Sequence, residues 1–260
     1  MLKKICFVLL FLTIVCCGCT QKEDTKTDAL SQIKNRGQLI VGVKTDTPPF
    51  GYINKEKQNI GFDIDLAKYL TKKLLGDESK LILVPVDTSN RIKKLSSNEV
   101  DMVIATMSVT PQRQILLDFS VPYHTAGQAM MVRANSKITS LMELSGKKAI
   151  IVFGSTVERS IHQTIPNVTV IGYKNYPDAV AALKAGVGDA MIADDTILLG
   201  FAMNDNSLKM IPKKYTKEPY AVAFRKGEES ERLIDFVDME LKELINRGKI
   251  KKMKAKWGIS

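Results

Sequence analysis

All four cysteines of this 260-residue chain, Cys6, Cys16, Cys17 and Cys19, lie within its first nineteen residues. Beyond Cys19 there is no thiol, so the remaining chain must fold without a disulfide, a thiolate nucleophile or a cysteine metal ligand. Packing alone has to hold it together. At 45% hydrophobic residues a substantial core is available, and the length suits one large domain or two modest ones. No metal and no cofactor are expected, because the cysteines have no downstream Cys or His partners and the chain shows no Walker loop and no H-E-x-x-H.

The cysteines belong to an export leader. Lys3 and Lys4 precede an apolar stretch over residues 5–17, then Gly18, Cys19 and the polar run Thr20-Gln21-Lys22-Glu23-Asp24. The stretch is a signal-type apolar region, too short to span a bilayer. It resembles the bacterial lipoprotein signal, which implies cleavage between Gly18 and Cys19 and lipid on Cys19. Cys16 and Cys17 depart from that pattern, standing where it usually carries Leu and Ala or Ser. The expected organisation is a signal peptide at 1–18 and a lipidated N-terminus with a flexible tether at 19–37, with order starting near Leu30. Such a chain is extracytoplasmic and anchored to the cell membrane.

The formal charge is +10, and loss of Lys3 and Lys4 with the leader leaves +8. Nucleic acid is a poor partner for an exported protein. The excess gathers over residues 247–257, which read as a last helix whose basic face is either solvated or drawn to an anionic membrane or wall.

Short β-branched runs at 39–43, 81–84, 102–105, 129–132, 149–152, 168–171, 190–193 and 221–224 read as strands. Between them Leu66, Ala67, Leu70 and Leu74 make a helical stripe, as do Ala179, Val180 and Leu183, and Leu233, Phe236, Val237 and Leu241. This alternation predicts an α/β fold with largely parallel sheets and no visible internal repeat. Ligands of such sheets sit beyond the carboxyl ends of the strands, which directs attention to the loops there.

Three of these loops carry a coherent set of charges. In Ile104-Ala105-Thr106-Met107-Ser108-Val109-Thr110-Pro111-Gln112-Arg113 a strand runs into hydroxyls, then a Thr-Pro helix start that puts Arg113 in the first turn. A guanidinium there can grip a carboxylate bidentately, or pair with a nearby acid such as Asp118. In Val152-Phe153-Gly154-Ser155-Thr156 a helix start offers free N–H groups to an anion, although Ser and Thr are also ordinary caps. In Ala193-Asp194-Asp195 a strand ends on two carboxylates: Asp195 as a cap would leave Asp194 to accept an ammonium, or both are caps. Two anion sites and one cation site complement a zwitterion such as an α-amino acid, neither of whose charges can be buried unpaired.

The same residues carry a wider resemblance. Ile60-Gly61-Phe62-Asp63-Ile64-Asp65-Leu66-Ala67, Val100-Asp101, the 105–113 loop, Asp118-Phe119-Ser120-Val121-Pro122-Tyr123 and Lys256-Trp257-Gly258 resemble, in unbroken order, the polar amino-acid-binding proteins of bacterial ABC importers, solute-binding protein family 3. The resemblance implies a two-lobed periplasmic-binding-protein fold of the Venus-flytrap type with two hinge strands. These fall near Ala126–Gln128 and Lys217–Tyr220, lobe one being 38–126 with 220–260 and lobe two 127–219. It implies a carboxylate clamp of Arg113 with Thr106, Ser108, Ser155 and Thr156, and an ammonium acceptor at Asp194. The implied partners are an amino-acid ligand, a permease and its ATPase, for a monomer.

Side-chain choice is expected from the loops at 43–52 and 88–92. Lys44 and Arg91 resemble the cations of aspartate- and glutamate-binding members, with Asp46 beside them and Tyr220 matching their tyrosine. Two cations favour an acidic ligand. The Pro48-Pro49-Phe50-Gly51-Tyr52 and Ser89-Asn90-Arg91 runs also resemble cysteine-binding members, and glutamine is the further alternative. No enzymatic step is expected. The rival is a cyclohexadienyl or arogenate dehydratase on the same fold, for which His124 and His162 are the available imidazoles, and neither falls in the three loops.

Overall fold

Runs from both ends of the chain assemble one five-stranded sheet in the computed structural model, which describes residues 28–203 and 205–259. Its order is Leu81–Pro85, Leu39–Val43, Met102–Ile104, Ala223–Arg225, Leu117–Phe119. A second sheet is built from the middle of the chain, in the order Thr169–Tyr173, Lys148–Val152, Ala190–Asp194, Gln128–Arg133, Leu208–Ile211. The leader and Cys19 lie outside the described residues.

In each sheet the first three strands are parallel, and the fourth runs antiparallel to both its neighbours. The sheets are therefore mixed rather than largely parallel. The reason is the crossing between lobes: Gln128–Arg133 and Ala223–Arg225 enter their sheets directly from the crossing segments, without the helical return that a parallel neighbour requires. The crossings are His124–Ala126 and Glu218–Tyr220, paired antiparallel with His124 opposite Tyr220. This pair joins two α/β lobes, each with its own sheet.

Helices form where apolar spacing predicts them. Phe62–Leu75 buries Phe62, Ile64, Leu66, Ala67 and Leu70, with Leu74 half-buried, and stops at Gly76 in the left-handed region. Tyr176–Lys184 buries Ala179, Val180 and Leu183, and Glu231–Asn246 buries Leu233, Val237 and Leu241. The basic C-terminal segment differs from expectation. Gly248, at a φ of 64°, breaks it, so the last helix is Lys249–Lys256, with Ile250 its buried residue.

Order begins earlier than the 19–37 tether assignment allows. Ala29–Arg36 is a helix, capped by Asp28 accepting from the Ser31 N–H at 3.0 Å, with Ala29, Leu30 and Ile33 buried. Those three positions share one face, which packs on Glu231–Asn246, and Arg232 of that helix pairs with Asp28 at 2.8 Å. Among the described residues no helix is long and apolar enough to cross a membrane.

The lobes are closed on each other. A Cβ added to Gly200, in the helix Asp195–Ala202, would lie 2.2 Å from the Pro48 carbonyl oxygen of the other lobe. One added to Gly154 would lie 2.5 Å from that of Thr88, and Gly154 also has a φ of 77° that disfavours any other residue. Both glycines permit backbone to meet backbone across the cleft.

Candidate functional site

Five strand ends converge on the cleft. From the first lobe come Thr88 and Arg91 after Leu81–Pro85, and Thr106, Ser108 and Arg113 after Met102–Ile104. The second lobe adds Ser155 and Thr156 after Lys148–Val152, Tyr176 after Thr169–Tyr173, and Ala193 with Asp194 on Ala190–Asp194 itself. They line one narrow pocket, which in this closed form has a cavity volume of about 10 Å³.

Arg113 is fixed by a helix start of the kind the sequence predicts. Thr110 caps Pro111–Leu116, its hydroxyl accepting the Arg113 N–H at 3.2 Å, with Pro111 in the first turn. The side chain is 5% exposed and bridges the lobes, Nη1 donating to the Ser108 carbonyl at 2.7 Å and Nη2 to the Gly154 carbonyl at 3.0 Å. It does not pair with Asp118, which instead holds Lys226 at 2.6 Å and the Gly227 N–H. Burial, with the neighbouring Arg91 charge adding to it, lowers Arg113 to about 9, so it stays protonated at neutral pH.

Arg91 is buried even more deeply. Nη1 donates to the Ala105 and Thr106 carbonyls, while its buried Nε has no hydrogen-bond partner among the described residues. Carbonyls orient the cation without neutralising it, so it retains the capacity to bind an anion. Thr106 itself has a φ of 48°, a costly conformation for a β-branched residue, worth about 1–3 kcal/mol.

The second lobe supplies the opposite charge. Asp194 precedes the helix Asp195–Ala202 without a capping bond; Oδ2 accepts from the Tyr220 hydroxyl, which leaves Oδ1 for the pocket. Burial, then the charge of Glu218, raises Asp194 to about 7, against which Arg113 pulls downward. Asp195 does not cap the helix either. It accepts the Gly127 N–H at 3.0 Å and pairs with Lys214 at 2.5 Å, pinning the crossing instead. The helix Thr156–Thr164 aims its N-terminus at the pocket, and its N-cap Ser155 makes no capping bond; the buried Ser155 Oγ is unpartnered among the described residues. Thr156 Oγ1 accepts from Gln128 Nε2 at 3.0 Å.

Three of the expected site residues stand away from the pocket wall. Lys44 is wholly buried, its Nζ 2.9 Å from Asp46 and 3.2 Å from the Thr88 hydroxyl, and 5.4 Å from the centre of the Tyr176 ring. It reaches the pocket through Thr88, and Asp46 neutralises it. Asp46 faces a separate groove beside Asp87 and Lys174. Tyr220 lies behind Asp194 and orients it. Sequence reasoning missed Tyr176, which lines the pocket from the first helical position after the Asn175 cap. The signal was available in Asn175-Tyr176-Pro177, a fourth strand-end helix start.

The two histidines lie elsewhere. His124 sits in the crossing against the Phe50 and Tyr220 rings, with burial lowering it to about 4, and His162 is exposed on Thr156–Thr164.

The chain is 42% identical over 217 residues to the glutamine-binding protein of Geobacillus stearothermophilus, covering 80% of this chain and 83% of that one. It is 36% identical over 268 residues to the ABC transporter glutamine-binding protein GlnH of Bacillus subtilis, covering 98% and 97%. The crystal structure of the cysteine-binding protein from Campylobacter jejuni superposes with a TM-score of 0.84 at 34% identity, covering 88% and 92%. Residues 39–260 match the family description as a whole, and the chain belongs to the bacterial extracellular solute-binding proteins, family 3.

Proposed function

We propose that this protein captures one polar L-amino acid between its lobes and delivers it to an ABC permease and its ATPase. The observation that carries the reading is the approach of Arg113 and Asp194 to one enclosed pocket from opposite lobes. Arg113 with the N-terminus of Thr156–Thr164 suits an α-carboxylate, and Asp194 suits the α-ammonium. A ligand that bridges both favours the closed form by its differential affinity, and the closed form is what docks. No covalent step is needed, and prephenate or arogenate should leave the protein without an aromatic product.

For the side chain we favour glutamate or aspartate. Lys44 is already neutralised by Asp46, so the preference now rests on Arg91, which a side-chain carboxylate would satisfy. Glutamine is the second reading, favoured by that same Lys44–Asp46 pairing and by the two glutamine-binding relatives, since a carboxamide oxygen can also accept from Arg91. Calorimetric titration of the mature protein with glutamate, glutamine, cystine and arginine tests this. Acidic ligands should bind most tightly, and glutamine binding with no heat from glutamate would overturn the preference. Anchoring through Cys19 follows from the leader, and Cys19→Ser should release the protein from the membrane fraction.

A further inference from the structure

We propose that Asp63, which does not line the pocket, is a positioning residue that shapes the pocket's first-lobe wall by holding Thr106 in the left-handed backbone region. The inference rests on the amino-acid pocket proposed above. Among the described residues four non-glycines have a positive φ: Lys57, Asn98 and Asn167 are exposed, whereas Thr106 is buried and β-branched. A conformation this unfavourable persists only where the surroundings over-determine it, and such outliers concentrate at ligand clamps.

Asp63 supplies the constraint. It lies in the first turn of Phe62–Leu75, fully buried between Phe62 and Ile64, and its Oδ2 accepts the Thr106 N–H at 3.1 Å from 43 residues away in sequence. On the other side of Thr106, its carbonyl and that of Ala105 accept Arg91 Nη1. The Thr106 backbone thus links a buried carboxylate to a pocket guanidinium, and its φ decides where those carbonyls point. Burial raises the Asp63 carboxyl to about 7, against the downward pull of the Thr106 N–H it accepts. Among the described residues Asp63 Oδ1 and the Tyr123 hydroxyl complete no hydrogen bond, although the hydroxyl is near enough to favour the ionised form.

A substitution cycle read by calorimetry with L-glutamate and L-glutamine tests the proposal. Asp63→Leu removes the acceptor and should weaken binding of whichever ligand the wild type takes by roughly 10- to 100-fold. Asp63→Asn keeps an acceptor, and its amide can donate to Tyr123, so it should stay within about threefold. Thr106→Gly lowers affinity by itself but adopts the left-handed φ freely, so in that background Asp63→Leu should cost less than about threefold. Equal costs of Asp63→Leu in both backgrounds, or lost melting temperature with affinity intact, would make Asp63 a core residue only. If Asp63→Leu does not fold, Asp63→Ser takes its place in the same cycle. Failure of both to fold with either residue at 106 would likewise overturn the proposal. Absence of binding by the wild type itself would instead overturn the amino-acid reading.

Discussion

The two lobes share a sheet plan but furnish the pocket in opposite ways. The first provides two buried guanidiniums, Arg91 and Arg113, seated on the carbonyls of Ala105, Thr106 and Ser108. The second provides a buried carboxylate, Asp194, and the N-terminus of a helix. Burial is the largest cause that lowers Arg113 and raises Asp194, and within each half a like charge adds to it, Arg91 for Arg113 and Glu218 for Asp194. Across the cleft the signs reverse, because Arg113 and Asp194 each favour the other's charged form. A zwitterion spanning the gap would give each buried charge a partner of opposite sign.

The largest effect should come from deleting either pole. Arg113→Ala and Asp194→Ala should each weaken every amino acid by about a thousandfold in calorimetry, the scale of leaving one buried charge uncompensated. If one lobe's variant lost binding and the other's did not, the symmetry of the account would fail. Next comes Gly200→Ala, whose Cβ meets the Pro48 carbonyl oxygen at 2.2 Å. It should hold the lobes apart, cutting affinity tens of fold while small-angle scattering reports a larger radius of gyration and thermal unfolding changes little. An unchanged affinity would mean that closure is not what completes the site.

How much of this was legible in the sequence depends on the signal each part carries. The parallel strands and the loops after them announce themselves, because a β-branched run followed by Thr110-Pro111 or Gly154-Ser155 has few other uses. Arg113, Thr106, Ser108, Ser155, Thr156 and Asp194 stand in loops of that kind, whereas Arg91 comes from the family resemblance alone; all seven line one pocket. Asp46–Thr47, Gly51–Ile53 and Asn59–Ile60 were not visible, since strands of two or three residues show no periodicity. The pairing of Lys44 with Asp46 was equally hidden. Residues two apart on extended chain share a face, but whether they meet each other or a ligand depends on neighbours far away in sequence, here Thr88 and Tyr176.

The pH dependence sharpens the comparison further. Asp194 is raised to about 7 from an ordinary value of 3.8, and a ligand ammonium requires its ionised form. Affinity should therefore fall as pH drops through about 7, approaching tenfold per unit, whereas Arg113, lowered to about 9, should produce the corresponding loss only as pH rises through 9. Stability without ligand has the opposite sign at Asp194. A raised folded pKa stabilises below about 4, and that contribution is lost as pH rises through 7, so ligand should raise the melting temperature more at pH 7.5 than at pH 5. The smallest effect belongs to Lys44→Ala. Acting through Thr88, it should shift the ratio of glutamate to glutamine affinity by about three- to tenfold without abolishing either; a uniform loss would move Lys44 into the clamp.

The most direct test of the opposed poles is a calorimetric comparison of the preferred amino acid with its N-acetyl and α-carboxamide derivatives, on wild type, Arg113→Ala and Asp194→Ala. Both derivatives should lose most of the wild-type affinity. The carboxamide should cost Arg113→Ala little more than the substitution already has, and the acetyl group should do the same for Asp194→Ala. Derivatives that bind wild type as tightly as the parent, or losses that add independently in both variants, would contradict the claim that guanidinium and carboxylate hold the two ends of one molecule.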